Sequence, residues 1–180
     1  MNPISKYTVG VRFGLIAGFL YVIFLFCRFK FFSYNTDIYF LSSLVSYFLI
    51  LLIFLMAGIF RKAELGGYAQ VREIFQTIFI AILIAEAFYV VFDLVYMKWI
   101  DPGFAEKFKS NSLAFFRTNP KFTNEDINQR MVGVDSLIYQ MRPSGLIKGY
   151  GTAVVVDSIF GFLFAFVVRK QKPKSAESKI

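Results

Sequence analysis

The stretch that decides the fold is IYFLSSLVSYFLILLIFLMAGIF, residues 38–60, which contains no charged side chain. About 20 mostly apolar residues are enough for a helix to cross the hydrocarbon core of a bilayer. Three further stretches have similar length and hydropathy, residues 9–32, 74–97 and 145–168. The sequence therefore predicts an all-α integral membrane bundle of four transmembrane helices, forming a single membrane domain over residues 1–180.

The composition supports lipid as the surrounding solvent. Hydrophobic residues make up 57% of the chain, charged residues only 18%, and the mean hydropathy is +0.57. Soluble domains carry about a quarter charged residues, so soluble and disordered proteins are excluded. The single Cys27 cannot form an intramolecular disulfide, and the absence of histidine argues against the usual zinc sites and against imidazole bases. Phosphate-loop, zincin and nucleophile-elbow motifs are also missing, so we expect no metal, no cofactor and no enzyme.

The first span is read as a retained anchor rather than a cleaved signal peptide. Its apolar part is long for a signal peptide, and its end, Cys27-Arg28-Phe29-Lys30, offers no small-residue cleavage site.

Four spans place both termini on one side of the membrane, and the basic residues favour the cytoplasm for that side. Ten basic residues fall there: Lys6, Arg12, Arg61, Lys62, Arg72, Arg169, Lys170, Lys172, Lys174 and Lys179. The net charge of +8 indicates attraction to anionic lipid, particularly for the basic tail 169–180. Because no soluble basic domain is present, we expect no nucleic-acid partner.

The third connection, residues 98–144, is predicted to be an external loop with two short amphipathic helices. Asp101-Pro102 suits the start of a helix over about residues 102–116. Thr123-Asn124-Glu125-Asp126 suits the start of a second helix that ends by Pro143. Its apolar stripe is Ile127, Met131, Val134, Ile138 and Met141. Two interpretations stay open: a lid or spacer, and a surface that binds a partner.

Small residues recur every four positions in two spans, which allows close helix contact. In the first span they are Gly10, Gly14 and Gly18. In the last span they are Gly145, Gly149, Ala153, Gly161 and Ala165, with Asp157 in the same register. We interpret both stripes as contacts within the bundle, and oligomer contacts are the alternative.

Two acids are predicted near the membrane midplane. Glu86 follows Ile74 by 12 residues and Asp157 follows Leu146 by 11, which is about 16–18 Å along each helix. Asp93 lies on nearly the same face as Glu86 but close to the outer boundary, where water or Lys98 can reach it. Glu86, Asp157 and Asp93 are thus the candidate proton or cation site.

A midplane acid costs about 2.5–3.5 kcal/mol on insertion scales, and two arrangements reduce that cost. In one, the pair is protonated at least in part and hydrogen-bonds to neighbours such as Ser46, Tyr89 or Ser158. In the other, a water-filled path brings a proton or a cation to the site. No Lys or Arg is predicted at the same depth.

Three features carry a resemblance to a known family: four spans in this order, the Gly66-Gly67-Tyr68 turn, and the segment KWIDPGF at residues 98–104. Together they resemble the domain of unknown function 4199, a family of four-pass bacterial inner-membrane proteins. The resemblance implies membrane residence, four helices and a long external connection. It implies no catalytic or ligand-binding residues, because the family has no established activity.

The first interpretation is a structural or accessory inner-membrane protein that acts through helix packing and its external loop. Its expected partners are the lipid bilayer and either a second copy or another membrane protein. The alternative is a proton- or cation-coupled permeation protein that uses the midplane carboxylates. A lipid-modifying enzyme is the third and weakest interpretation.

Overall fold

The computed structural model describes residues 5–170, with side chains from residue 7 onward. Its helices are α1 (Ser5–Cys27), α2 (Thr36–Glu64), α3 (Val71–Val95), α4 (Phe104–Thr118), α5 (Asn124–Gln140) and α6 (Pro143–Val168). Arg28–Phe32 continues α1, and Tyr96–Ile100 continues α3, each as a π-helical turn. The predicted basic tail lies outside the described residues from position 171 onward, as does the side chain of Lys6.

Four of the helices are long and apolar enough to cross a membrane: α1, α2, α3 and α6, the first and third together with their π-helical turns. Helix α3 lies at the centre and packs against the other three. The core among them is apolar, with Ile50, Phe54, Ile78 and Ile82 almost completely buried. The predicted all-α bundle of four spans, with helices in the third connection, is confirmed.

Local sequence explains where the spanning helices begin. The Asn35 side chain accepts hydrogen bonds from the backbone N–H groups of Asp37 and Ile38 at 3.0 and 3.1 Å, which caps α2. Glu73 accepts from the Gln70 N–H at 2.9 Å and caps α3. Pro143 occupies the first turn of α6, where its missing N–H costs nothing.

The turn between α2 and α3 needs glycine for a conformational reason. Gly66 and Gly67 have φ angles of +75° and +84°, a left-handed region that side chains with a Cβ disfavour. Their N–H groups bond to the carbonyls of Ala63 and Lys62, each at 3.0 Å, and so close the end of α2. Beyond this turn, Ala69 pairs with Lys170 through two backbone hydrogen bonds. This pairing ties the start of α3 to the end of α6.

The third connection folds onto the bundle as a cap formed by α4 and α5. Aromatic rings of the cap pack against rings of the spans. The ring centroids of Phe104 and Phe29 are 4.8 Å apart, and those of Phe108 and Tyr39 are 4.6 Å apart. Thr36 donates a hydrogen bond to Ser112 at 3.0 Å within the same buried contact. The cap is therefore part of the folded unit, at the membrane end opposite the described termini.

The two predicted cap-helix starts have different outcomes. Thr123 and Asp126 form a reciprocal capping box, so the predicted start of α5 is confirmed. The start predicted at Asp101-Pro102 is wrong, because α4 begins at Phe104. The Asp101 N–H closes the preceding π-helical turn by bonding to the Tyr96 carbonyl at 2.8 Å. Its carboxylate accepts from Lys107 Nζ at 2.8 Å instead of capping a helix.

Candidate functional site

Four polar side chains, one from each membrane-spanning helix, meet in the middle of the bundle. They are Tyr21 of α1, Tyr47 of α2, Glu86 of α3 and Asp157 of α6, and we name them the four-helix polar chain. Tyr47 Oη donates a hydrogen bond to Asp157 Oδ1 at 2.8 Å. The Glu86 carboxyl group interacts electrostatically with both Asp157 and Tyr21. Two predicted site residues are thus brought together.

The acid pair is central and nearly closed to solvent. Glu86 is 4% exposed and Asp157 is 1% exposed. Glu86 lies 15 residues after the first residue and 14 before the last of the span Val71–Ile100. That position corresponds to the middle of a spanning helix.

The chemistry of the acid pair follows from the lack of a hydrogen-bond donor for one of its oxygens. Asp157 Oδ2 is buried and has no hydrogen-bond partner, and two ionised carboxylates offer only acceptors to one another. Contact between the Glu86 and Asp157 carboxyl groups is therefore favourable only when they share a proton or a bound cation. One shared proton or one bound cation would meet this requirement.

The neighbours predicted for the acids differ from those in the structure. Ser46 accepts a hydrogen bond from Arg28 Nη2 at 2.9 Å, and Ser158 donates to its own helix, to the Val154 carbonyl, at 2.5 Å. Neither serine hydrogen-bonds to the acid pair, so this part of the prediction is wrong. The third predicted neighbour, Tyr89, stacks edge-on against Tyr21 at 5.4 Å between ring centroids.

Tyr21 and Tyr47 are the functional residues that sequence reasoning missed. A usable signal existed, because tyrosine in a span is most frequent at the membrane interfaces. Each of these tyrosines is 11 or more residues from either end of its span. A mid-span tyrosine in a chain that also carries mid-span acids is a candidate donor to those acids.

Asp93 belongs to a second buried cluster, nearer the cap. It is only 3% exposed, so the prediction that water or Lys98 reaches it is wrong. Lys98 Nζ lies over the Trp99 ring at 5.0 Å. The positive charge that acts on Asp93 is that of Arg28, which is itself 6% exposed. Arg28 also lies over the Tyr39 ring at 5.6 Å.

Arg28 lies at a local irregularity of its helix. A π-helical turn spreads its residues over a wider turn than an α-helix, and this one begins at Arg28. Both Arg28 Nε and Asp93 Oδ1 are buried without a hydrogen-bond partner. Arg28 and Asp93 therefore attract each other electrostatically, while one buried polar atom of each side chain makes no hydrogen bond.

The glycine stripe of α1 lies against α3. A Cβ added to Gly10 would be 2.7 Å from the Thr77 carbonyl oxygen, and one added to Gly18 would be 2.6 Å from Phe88 Cγ. At Gly14 the nearest atom would be Ile84 Cβ, at 2.9 Å. These separations are too short for any residue but glycine, so the stripe sets the distance between α1 and α3.

The small residues of α6 do not all serve the same contact. Ala165 is fully buried, and a Cβ on Gly161 would be 2.9 Å from Ile78 of α3. Ala153 is half-buried. A Cβ on Gly149 would meet no atom within 4 Å, so the prediction that Gly149 packs within the bundle is wrong. The small residues of α6 are therefore in close contact at Gly161 and Ala165 but not at Gly149.

Over residues 5–170 no three acidic or cysteine side chains lie close enough together to hold a metal ion. Residues 12–170 match the model of the family described as "Protein of unknown function (DUF4199)". No curated protein and no solved structure is significantly similar to the chain. The matched region includes both buried polar clusters and the whole cap.

Proposed function

The chain belongs to the DUF4199 family of proteins of unknown function, and from its site we propose that it is a structural or accessory membrane protein without catalytic activity. The observation that supports this most is the four-helix polar chain, which takes one side chain from each span. Each midplane acid costs about 2.5–3.5 kcal/mol on insertion scales when it lacks partners. Arrangements that leave Glu86 and Asp157 facing lipid are therefore strongly disfavoured over the one that pairs them.

The cap supplies the surface through which such a protein would act. Helix α5 buries Ile127 and Val134 against the bundle, whereas Val132 is 70% exposed and Tyr139 is 54% exposed. Val132 and Tyr139 are seven residues apart, which places them on the same face of α5. A partner on this face would cover both side chains without disturbing the bundle.

We also propose the orientation and the membrane. The described termini and the α2–α3 turn lie at one end, which carries Arg61, Lys62, Arg72, Arg169 and Lys170. The positive-inside rule favours the cytoplasm for that end. The cap would then face the outer side of a bacterial inner membrane.

Crosslinking from the cap tests the accessory role. A photoreactive amino acid replaces Val132 or Tyr139 in the full chain, in native membranes, and exposed Ser110 on α4 is the matched control position. We expect one discrete protein adduct from Val132 and Tyr139, absent from Ser110. In the chain with the photoreactive residue at Tyr139, Val132→Lys should abolish that adduct. Failure to form an adduct from α5, or the same adduct from Ser110, would overturn the role of this face.

The second candidate function is proton- or cation-coupled permeation, and the unpartnered Asp157 Oδ2 beside Glu86 supports it. Four helices leave a narrow path, so this function would require an oligomer. The test is flux into liposomes that carry an imposed pH or cation gradient and a dye inside. Permeation predicts flux that Asp157→Asn abolishes and Tyr150→Phe leaves intact, whereas the accessory role predicts no flux from either variant or from the unmodified protein.

Hydrophobic carbodiimide labelling, mapped by mass spectrometry in detergent across pH, separates the two candidates further. The reagent reacts with protonated carboxyl groups in apolar surroundings. Labelling of Glu86 or Asp157 that sodium or potassium suppresses would support permeation. Folded protein that never labels at these residues would support the accessory role.

A further inference from the structure

A groove of about 510 Å³ lies between the first turns of α3 and the last turns of α6. It opens at the membrane end that carries the described termini, away from the acid pair and from the cap. Its lining residues are Val71, Arg72, Phe75, Phe162, Phe166 and Arg169.

The inner wall of the groove is aromatic and faces the lipid region. Phe75 and Phe162 meet edge to face with ring centroids 6.0 Å apart. Phe162 and Phe166 are each 51% exposed, and their spacing of four residues places them on one face of α6. Both phenylalanines belong to the membrane-spanning part of α6, so they offer a surface for a hydrocarbon chain.

The rim of the groove is cationic and lies at the membrane boundary. Arg72 is the second residue of α3, and Arg169 directly follows α6. The backbone pairing of Ala69 with Lys170 holds these two helix ends together. The Arg169 guanidinium lies 3.9 Å above the Phe166 ring, which positions its charge directly over the apolar wall.

No carboxylate lies among the lining residues to neutralise this pair of charges. The acid nearest to Arg72 in sequence is Glu73, whose carboxylate accepts a hydrogen bond from the Gln70 N–H at 2.9 Å. Within the part of the chain that the structure describes, neither guanidinium group forms an ion pair with an acid. Two such groups above an aromatic wall match a ligand with an anionic head and an apolar tail. Arginine is well suited to phosphate because its planar donors bind two oxygens at once.

We propose that this groove binds one anionic glycerophospholipid, with its phosphate between Arg72 and Arg169 and one acyl chain along Phe75, Phe162 and Phe166. This is a defined site, in contrast to the diffuse attraction that a net charge of +8 exerts on a membrane. A free phosphate ion would use the rim but leave the aromatic wall uncovered. The site is independent of the role proposed for the cap.

The test is a lipid titration of the delipidated full-length protein in mild detergent, followed by native mass spectrometry. Dioleoylphosphatidylglycerol is compared with dioleoylphosphatidylcholine, which has the same acyl chains but no net charge. We expect one tightly bound phosphatidylglycerol and markedly weaker binding of phosphatidylcholine. Arg72→Gln combined with Arg169→Gln should raise the Kd for phosphatidylglycerol about tenfold or more, because the phosphate loses two charge-assisted hydrogen-bonding partners.

Two controls separate a site from general electrostatics. Arg12→Gln combined with Lys62→Gln removes the same charge from the same membrane end but outside the groove. Because salt screens exposed charges that do not touch the ligand, this change should alter the Kd by less than about twofold. Arg72→Lys combined with Arg169→Lys keeps the charge and should retain most of the binding. Equal weakening by the Arg12 and Lys62 pair, or equal binding of phosphatidylcholine, would overturn the proposal.

The apolar half of the site has its own test. Phe162→Ala leaves both arginines in place and should weaken phosphatidylglycerol binding, because the acyl chain loses part of its wall. Glycerol 3-phosphate, which has the head but no acyl chains, should not compete at concentrations that exceed the lipid a hundredfold. Competition by glycerol 3-phosphate, or unchanged binding by Phe162→Ala, would contradict a lipid site. A thermal melt of each variant establishes that it is folded before its Kd is compared.

Discussion

The Tyr47 hydroxyl of α2 donates a hydrogen bond to Asp157 Oδ1 of α6, with 2.8 Å between the two oxygens, although the residues are 110 positions apart in the chain. The bond joins two helices that are not consecutive, and it satisfies one oxygen of an acid that is 1% exposed. Because Asp157 also contacts Glu86, the bond extends the acid pair to a third helix.

Tyr47→Phe is expected to destabilise the bundle by about 1–3 kcal/mol, because it leaves Asp157 Oδ1 buried without its donor. The free energy of unfolding in mild detergent measures this. Tyr150→Phe is the matched control, since the Tyr150 hydroxyl contacts the Leu83 carbonyl only at 3.5 Å. Equal effects of the two substitutions would mean that the Tyr47 bond contributes nothing specific.

The acid pair should behave as one unit in a double-mutant cycle. Glu86→Gln and Asp157→Asn each remove one partner, so their effects on the free energy of unfolding should differ from additivity by about 0.5–3 kcal/mol. Asp135→Asn with Asp157→Asn provides the control, because Asp135 pairs with Lys109 on the cap. Strict additivity for Glu86 and Asp157 would show that the two carboxyl groups do not share a proton or an ion.

The sequence predicted the bundle well because hydropathy over about 20 residues is a strong signal and needs no tertiary information. It placed Glu86 and Asp157 at similar depth because rise per residue is constant in a helix. Depth does not fix rotation about the helix axis, however, so it could not identify Tyr47 as the donor.

Two other errors have equally local causes. Asp93 lies near the cap end of its span, where the folded cap covers the bundle, so its depth in the span does not predict its exposure. Gly149 shares the four-residue spacing of Gly161, yet it is exposed, and a Cβ there would meet no atom within 4 Å. Spacing identifies a face of a helix, and only the neighbouring helix decides which part of that face is covered.

Gly10→Ala and Gly149→Ala should therefore have opposite consequences. At Gly10 the new methyl group would be 2.7 Å from the Thr77 carbonyl oxygen, a backbone atom that can move only with α3. We expect a loss of about 1–3 kcal/mol in the free energy of unfolding, as for overpacked cores. At Gly149 the methyl group enters open space, and alanine should be neutral or stabilising by up to about 1 kcal/mol. Similar effects at both positions would contradict the described contact between α1 and α3.

Removing Arg28 should cost more than removing Arg28 and Asp93 together. Arg28→Met leaves Asp93 buried without the positive charge that acts on it, and breaking a buried charge pair costs about 3–5 kcal/mol. Arg28→Met combined with Asp93→Asn removes both charges and should recover part of that loss. Thermal unfolding of the unmodified protein and the two variants measures the order, and a double variant less stable than Arg28→Met would refute the pairing.

The start of α5 should lose stability in acid. Two hydrogen bonds from Thr123, one from its hydroxyl at 2.7 Å and one from its N–H at 2.9 Å, hold the pKa of the Asp126 carboxyl below its ordinary value. A carboxyl group whose pKa is lower in the folded state stabilises that state above the pKa of the unfolded chain, which is about 3.9. This contribution is lost as the pH falls through the lower pKa of the folded state.

Hydrogen exchange of the first-turn amides of α5 between pH 5 and pH 2.5, corrected for intrinsic rates, measures this loss. Protection should decrease toward the acid end, whereas the amides of α4, which lacks a side-chain cap, should change less. Asp126→Asn removes the charge at every pH, so its first turn should be less protected at pH 5 and show little further change on acidification. An unmodified protein whose α5 protection does not change with pH would show that the reciprocal cap does not depend on the Asp126 charge.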